Sequence, residues 1–235
     1  MSIAEKFEVI ADEVYEKGKK DEYDKFWDEI QNYGNRAEYM YAFSRWGSEY
    51  IRPKHKVVPT DANSGNQPFS YCRALKKVES KYFDFSQKVK GTHDQGGWYY
   101  TFASCENLEE IEDLNMPPDY RYHTTYANCK KLHTIAIVRT DTDTKYTNTF
   151  NYCYELKNLT IEGTIGQSGF SVKDCKKLSV ASLLSILTAL SKEQSIASGK
   201  SVTFSTVHQS VIEGDADCLE QLNLAVAAGW TIAYA

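Results

Sequence analysis

The sequence predicts an α/β protein in which about five repeats stack as a solenoid, each with one short parallel strand, between a helical N-terminal segment and an αβ C-terminal cap. Three observations predict it. Cys72, Cys105, Cys129, Cys153 and Cys175 follow one another at intervals of 33, 24, 24 and 22 residues. Each has a leucine three positions later, whereas the sixth, Cys218, has Gln221 there. All five prolines lie between positions 53 and 118, which leaves both ends of the chain free to be helical.

Alignment on cysteine defines the repeat: Phe69-x-x-Cys72-x-x-Leu75-x-x-Val78, Phe102-x-x-Cys105-x-x-Leu108-x-x-Ile111, Tyr126-x-x-Cys129-x-x-Leu132-x-x-Ile135, Phe150-x-x-Cys153-x-x-Leu156-x-x-Leu159 and Val172-x-x-Cys175-x-x-Leu178-x-x-Ala181. An apolar residue every third position places all of them on one side of a helical or 3-10 turn. The following Ile135-Ala136-Ile137 and Leu159-Thr160-Ile161 alternate as a short strand does. One such unit cannot bury its own apolar face, so units must stack with ring on ring, cysteine on cysteine and leucine on leucine. A disulfide needs Cα atoms about 5.5 Å apart, and neighbouring turns repeat at roughly 4.8 Å, so distance alone leaves bridges and thiols both open. The odd number of cysteines in the array, five, and a reducing compartment favour packed thiols. A metal site would need a short ligand pair such as C-x-x-C, and the chain has none.

The F-x-x-C-x-x-L-x-x-I pattern at this spacing resembles the BspA-type leucine-rich repeats of bacterial surface-associated and phage-encoded proteins, over about residues 55–181. A second resemblance is carried by Val14-Tyr15-Glu16-Lys17-Gly18-Lys19-Lys20-x-Glu22-Tyr23-Asp24-x-Phe26-Trp27-Asp28, by Gly34-Asn35-Arg36 and by the ending Gly229-Trp230-Thr231. These look like small leucine-rich-repeat proteins encoded in phage and prophage tail regions of gut Firmicutes. The resemblance implies a leucine-rich-repeat fold and non-catalytic adhesion or assembly on a virion.

The flanks are read from periodicity. Ser2-x-x-Glu5 has the form of a capping box, and Ile3, Phe7, Ile10 and Val14 follow at helical spacing. After Gly18, a second apolar face comprises Tyr23, Phe26, Trp27, Ile30 and Tyr33 and ends at Gly34. Residues 1–34 would pack on the first repeat or join copies of the chain into a homo-oligomer. Residues 1–54 form the helical segment and linker, 55–180 the repeat array and 181–235 the cap. Lys56-Val57-Val58 adds a strand before the first cysteine. Within the cap, Val180 to Leu190 reads as a helix and Ser201 to Ser205 as a strand. A helix capped by Asp217 then runs to Ala228, and Trp230 to Tyr234 is the last strand.

Composition excludes several roles. The chain has 235 residues, 42% hydrophobic and 25% charged, as a folded protein does, and no apolar run long enough for a membrane helix. The N-terminus carries acids where a signal peptide carries bases, so synthesis in the cytoplasm without a secretion signal is expected. The net charge of -5 lies wholly in residues 1–34, which hold ten acids against five lysines, while the rest carries 22 charges of each sign. That balance speaks against nucleic acid as partner.

For catalysis the five histidines have no recognisable nucleophile beside them, and neither G-x-S-x-G nor H-E-x-x-H occurs. No enzymatic activity, cofactor or metal is expected. Cys129-x-x-x-His133 lacks a second ligand pair, and Asp141-Thr142-Asp143-Thr144 lacks the later Gly and Glu of a calcium loop.

Tyrosine is the better lead, with 17 in the chain and ten of them between positions 69 and 154. Trp98, Tyr99, Tyr100, Tyr120, Tyr122 and Tyr146 fall outside the repeated apolar positions and are the candidate binding residues. The second repeat is longer than its neighbours, and its extra segment, Gly91 to Trp98, leads into this aromatic cluster. Insertions in repeat proteins map to one face, often the binding face. Rings beside Asp, Asn and Gln suit a bacterial surface glycan or a protein. On this reading Trp98→Ala weakens binding and leaves the melting temperature unchanged.

Overall fold

The structure, a computed structural model, describes residues 43, 44, 47, 49–53, 56–91, 96–192 and 199–235. The helices expected within residues 1–34, and residues 92–95 of the extra segment, lie outside the described residues. The fold is mixed α/β with parallel sheets. In chain order the strands are β1 (Lys77–Val78), β2 (Trp98–Tyr99), β3 (Glu110–Ile111), β4 (Arg121–His123), β5 (Thr134–Thr140), β6 (Lys145–Thr147), β7 (Asn158–Gly163), β8 (Ser201–Phe204) and β9 (Thr231–Tyr234). The helices are α1 (Val180–Ser191), α2 (Thr206–Gly214) and α3 (Ala216–Ala227).

Strands β1, β3, β5 and β7 form a parallel sheet in that order, in which Lys77, Glu110, Thr134 and Asn158 stand side by side. A second parallel sheet, β2-β4-β6, has Trp98 beside Tyr122 and Tyr122 beside Tyr146. The sequence predicts one sheet for the repeat array, and the array has two, while β8 and β9 pair in parallel as a third in the cap. The second arises because the two or three residues that precede the left-handed position before each aromatic turn, 98–99, 121–123 and 145–147, are themselves extended, and the neighbouring layer pairs with them.

The cysteine-aligned positions occupy a common core, except Ala181, which is exposed. Phe69, Phe102, Tyr126 and Phe150 are buried and stack face to face with centroids 5.2, 5.6 and 5.5 Å apart, and Phe43 joins the column at 5.4 Å from Phe69. Cys72, Cys105, Cys129, Cys153 and Cys175, and Leu75, Leu108, Leu132, Leu156 and Leu178, are likewise buried. Each turn is two successive i to i+3 bonds, as in Cys105 N–H to the Phe102 carbonyl (3.2 Å) and Leu108 N–H to the Cys105 carbonyl (3.0 Å).

The choice of cysteine has a polar reason. Cys105, Cys129 and Cys153 donate their thiol protons to the carbonyls of Phe69, Phe102 and Tyr126 in the preceding layer, at 3.0, 3.0 and 3.1 Å. Cys72 does the same to Phe43 at 2.7 Å. The carbonyls of Phe69, Phe102 and Tyr126 therefore each accept two bonds, one from their own turn and one from the next layer. Threonine builds a parallel ladder: Thr101 donates to the Gly65 carbonyl (2.7 Å), Thr125 to that of Trp98 and Thr149 to that of Tyr122 (2.7 Å).

All six cysteines are free thiols and buried, and burial pushes Cys153 up to about 12 and Cys218 to about 11. Thiolate attack is suppressed in such surroundings. A thiol reagent at mildly alkaline pH is therefore expected to label none of the six in the native protein and all six after unfolding. Rapid native labelling at Cys105 or Cys129 would contradict the buried column.

Two positions per layer hold the chain in left-handed conformation. Tyr71, Ser104, Asn128 and Tyr152, just before cysteine, have φ of 60 to 62°, and Gln67, Tyr100, Thr124 and Asn148, two before the aromatic, have φ of 52 to 57°. Each costs about 1–2 kcal/mol in a non-glycine residue. Interlayer bonds offset that cost: the N–H groups of Tyr100, Phe102 and Ser104 donate to the carbonyls of His123, Thr125 and Ala127 at 2.8–2.9 Å.

In β5 the inward positions are Ile135 and Val138, not Ile135 and Ile137, because the register with β7 shifts between Ile135 and Val138. Lys56-Val57-Val58 contributes a single bridge, Val57 to Phe83, in place of a strand. Helix α1 covers β7 and pairs its edge through serine: Leu159 N–H donates to Ser182 Oγ (2.9 Å) and Ile161 N–H to Ser185 Oγ (2.8 Å). The last helix is capped by Asp215, whose side chain accepts from Cys218 N–H, and not by Asp217. Helix α2 forms although its Thr206, Val207, Val211 and Ile212 are β-branched. Buried His208 and Ile212 anchor it to the core.

Candidate functional site

The six residues singled out by sequence divide between interior and surface. Trp98, Tyr122 and Tyr146 are 0, 0 and 4% exposed and form a second core column, with ring centroids 6.5 and 6.4 Å apart, ending edge-on against Phe170 at 5.1 Å. The strands alternate, so the residue that points inward on β2, β4 and β6 is the one that the pattern offered to a ligand. The placement of these three on a contact surface is thus corrected. Their 24-residue recurrence, continued by Phe170, is itself the sequence signature of a core column.

Tyr99, Tyr100 and Tyr120 lie half-buried at the outside of the same sheet. There the strands present two rows. One row is Tyr99, His123 and Thr147, paired rung to rung. The other begins at Gly97 and continues with Arg121 and Lys145, the latter two in register. Gly97 has φ of 89°, and a Cβ there would lie 2.8 Å from Arg121 Cγ and 2.9 Å from the Arg121 carbonyl, so this rung closes only with glycine.

The rings of this face pack on one another. Tyr99 stacks on His123 at 4.7 Å and 10°, and Tyr100 lies 4.6 Å from Tyr99 and 5.5 Å from His123. Arg121 Cζ sits 5.2 Å from the Tyr99 centroid and its Nε donates to the Gly96 carbonyl at 3.4 Å. Lys145 Nζ lies 4.7 Å from the Tyr120 centroid and donates to the Tyr120 hydroxyl at 2.5 Å. Burial, reinforced by Arg121, holds the His123 pKa below its ordinary value, so the ring is neutral at neutral pH.

Behind the face a buried ion pair fixes the base of the extra segment. Lys88 Nζ donates to Asp119, both side chains being wholly buried, and also to the Val89 carbonyl at 3.2 Å. Asp119 Oδ1 accepts from Gly91 N–H (2.8 Å) and Tyr120 N–H (2.6 Å). The ammonium sits 4.8 Å from the Trp98 centroid, and the Trp98 indole N–H donates to the Pro117 carbonyl at 3.1 Å. Desolvation pushes the Lys88 pKa down, with Asp119 opposing it.

Arg121, His123, Lys145 and Thr147 also belong to this face, although none is among the aromatic candidates that the sequence offers. The signal was available, because they alternate with Tyr122 and Tyr146 and repeat at 24 residues from Gly97 and Tyr99. The Cys129 and His133 side chains do not converge: Cys129 donates to the Phe102 carbonyl, and His133 Nδ1 faces Thr134 Oγ1 at 3.0 Å. Among the described residues no helix is long and apolar enough to cross a membrane.

No protein-family model, curated protein or solved structure matches the chain.

Proposed function

We propose that the chain is a BspA-type leucine-rich-repeat solenoid that acts by non-catalytic recognition, with the outer face of the β2-β4-β6 sheet as its contact surface. The observation that carries this reading is the side-chain grid on that face. Three successive rungs present Tyr99, His123 and Thr147 in register, with Arg121 and Lys145 beside them. The repeat fold is supported by the shared positions of ring, cysteine and leucine in successive layers. A regular backbone that repeats side chains at fixed intervals suits an extended partner with a repeating structure, such as a bacterial surface polysaccharide. Rigid rings with polar edges supply contact area at low entropic cost.

The test is binding to bacterial cells and purified envelope polysaccharides, by parent, Tyr99→Ala, His123→Ala and a chain lacking residues 1–34. Tyr99→Ala is expected to weaken saturable binding about tenfold, the effect of losing roughly 1.4 kcal/mol, with the melting temperature preserved and the deletion neutral. Unaltered binding in both point variants would remove this face from the function. Absence of binding, together with a changed assembly state in the deletion, would make the chain a structural part of a phage particle that docks through residues 1–34.

A further inference from the structure

We infer that the ligand of the β2-β4-β6 face is an anionic saccharide, its negative group received by Arg121 and Lys145 while its ring lies against the Tyr99 and His123 cluster. This inference rests on the recognition reading above and names the ligand class. It follows from how charge is paired on the two sheets. On the β1-β3-β5-β7 face the cations are neutralised: Lys77 pairs with Glu110 (3.2 Å) and Glu112 (2.7 Å), and Arg139 pairs with Asp113 (2.7 Å) and Glu162 (3.2 Å). On the β2-β4-β6 face, among the described residues, Arg121 and Lys145 have rings and neutral oxygens as partners and no carboxylate.

Among the described residues, two of the nearby acids are committed elsewhere. Asp119 is buried against Lys88, and Asp141 pairs with Lys90 at 2.6 Å. The face therefore carries two cations on adjacent rungs of one row, next to a row of neutral rings and hydroxyl. A guanidinium receives a carboxylate or phosphate through paired N–H donors, and an ammonium adds a second point charge. The C–H face of a pyranose packs on aromatic rings while its hydroxyls bond to Thr147 and His123. A single-stranded nucleic acid would also use rings, but it needs a groove of cations that follows the phosphates, and two cations on a chain of net charge -5 do not supply one. The anionic group is a carboxylate or a phosphate on the sugar.

Calorimetric titration with polygalacturonate, its methyl ester, a phosphorylated mannan, unmodified mannan and oligo-dT tests the inference. Polygalacturonate or the phosphorylated mannan is expected to bind at least about tenfold more tightly than its uncharged counterpart. Arg121→Gln should abolish that preference at an unchanged melting temperature, with Lys145→Gln acting in the same direction. Which of the two charged polymers binds identifies the anionic group. Equal affinity for charged and uncharged forms overturns the inference and leaves the recognition surface standing, provided Tyr99→Ala still weakens both. Tighter binding of oligo-dT overturns the inference in favour of nucleic acid. If none of the four saccharides binds, the recognition reading falls with it.

Discussion

Trp98→Ala is expected to lower the melting temperature by roughly 10 °C. The indole is completely buried, and the truncation removes an edge contact with Phe85 at 5.3 Å, the tilted contact with Tyr122 and the Lys88 ammonium over the ring. It also leaves the Pro117 carbonyl without the indole N–H. Loss of a buried tryptophan costs about 3–5 kcal/mol. In a domain of this size each kcal/mol shifts the midpoint by about 2–4 °C. Trp98→Phe keeps part of the packing and should fall between. Any loss of ligand binding in Trp98→Ala would follow from the disrupted β2 rung and be accompanied by reduced stability. Scanning calorimetry decides the matter: a variant that melts with the parent would return Trp98 to the surface.

The opposite assignments of Trp98 and Tyr99 show which parts of the molecule were legible. The Phe, Cys and Leu columns could be read because their spacing of three within a turn and about 24 between turns admits one interior side. The second column is equally periodic, yet Trp98, Tyr122 and Tyr146 stand outside the turn motif. Tyr and Trp occur in interiors and at interfaces alike, and composition does not separate the two placements. What separates them is strand alternation, and strands of two or three residues are too short to display it without their neighbours in register. Gly65 was opaque for the same reason. A Cβ there would lie 2.4 Å from the Gly97 carbonyl and 2.7 Å from the Trp98 ring, a contact between residues 32 and 33 positions apart. The cationic row also recurs at 24 residues, and registration places Arg121 beside Lys145, with Asp119, two residues before Arg121, turned inward.

That inward turn gives the second large effect. Asp119→Asn is expected to destabilise the protein by about 3–5 kcal/mol, because it leaves the Lys88 ammonium buried without its counter-charge. Lys88→Met should cost less, since the Asp119 carboxylate keeps the backbone N–H donors of Gly91 and Tyr120. The double variant Lys88→Met, Asp119→Asn removes both charges and retains an oxygen acceptor for those two donors. It should therefore lie well above Asp119→Asn in stability and close to the parent, a coupling that a double-mutant cycle measures by chemical denaturation. A pH dependence separates this account from simple loss of packing. Burial already lowers the folded-state pKa of Lys88 below its ordinary value near 10.5. Removing Asp119 lowers it further, so between that folded value and 10.5 the unfolded chain binds the proton that the folded one has released. Stability of Asp119→Asn must then rise with pH across this window and fall as pH drops through the folded value. The additional Lys88→Met change must abolish the trend. Equal stabilities for the single and double variants, with no pH dependence, would show that the charge pair does not hold the base of the extra segment.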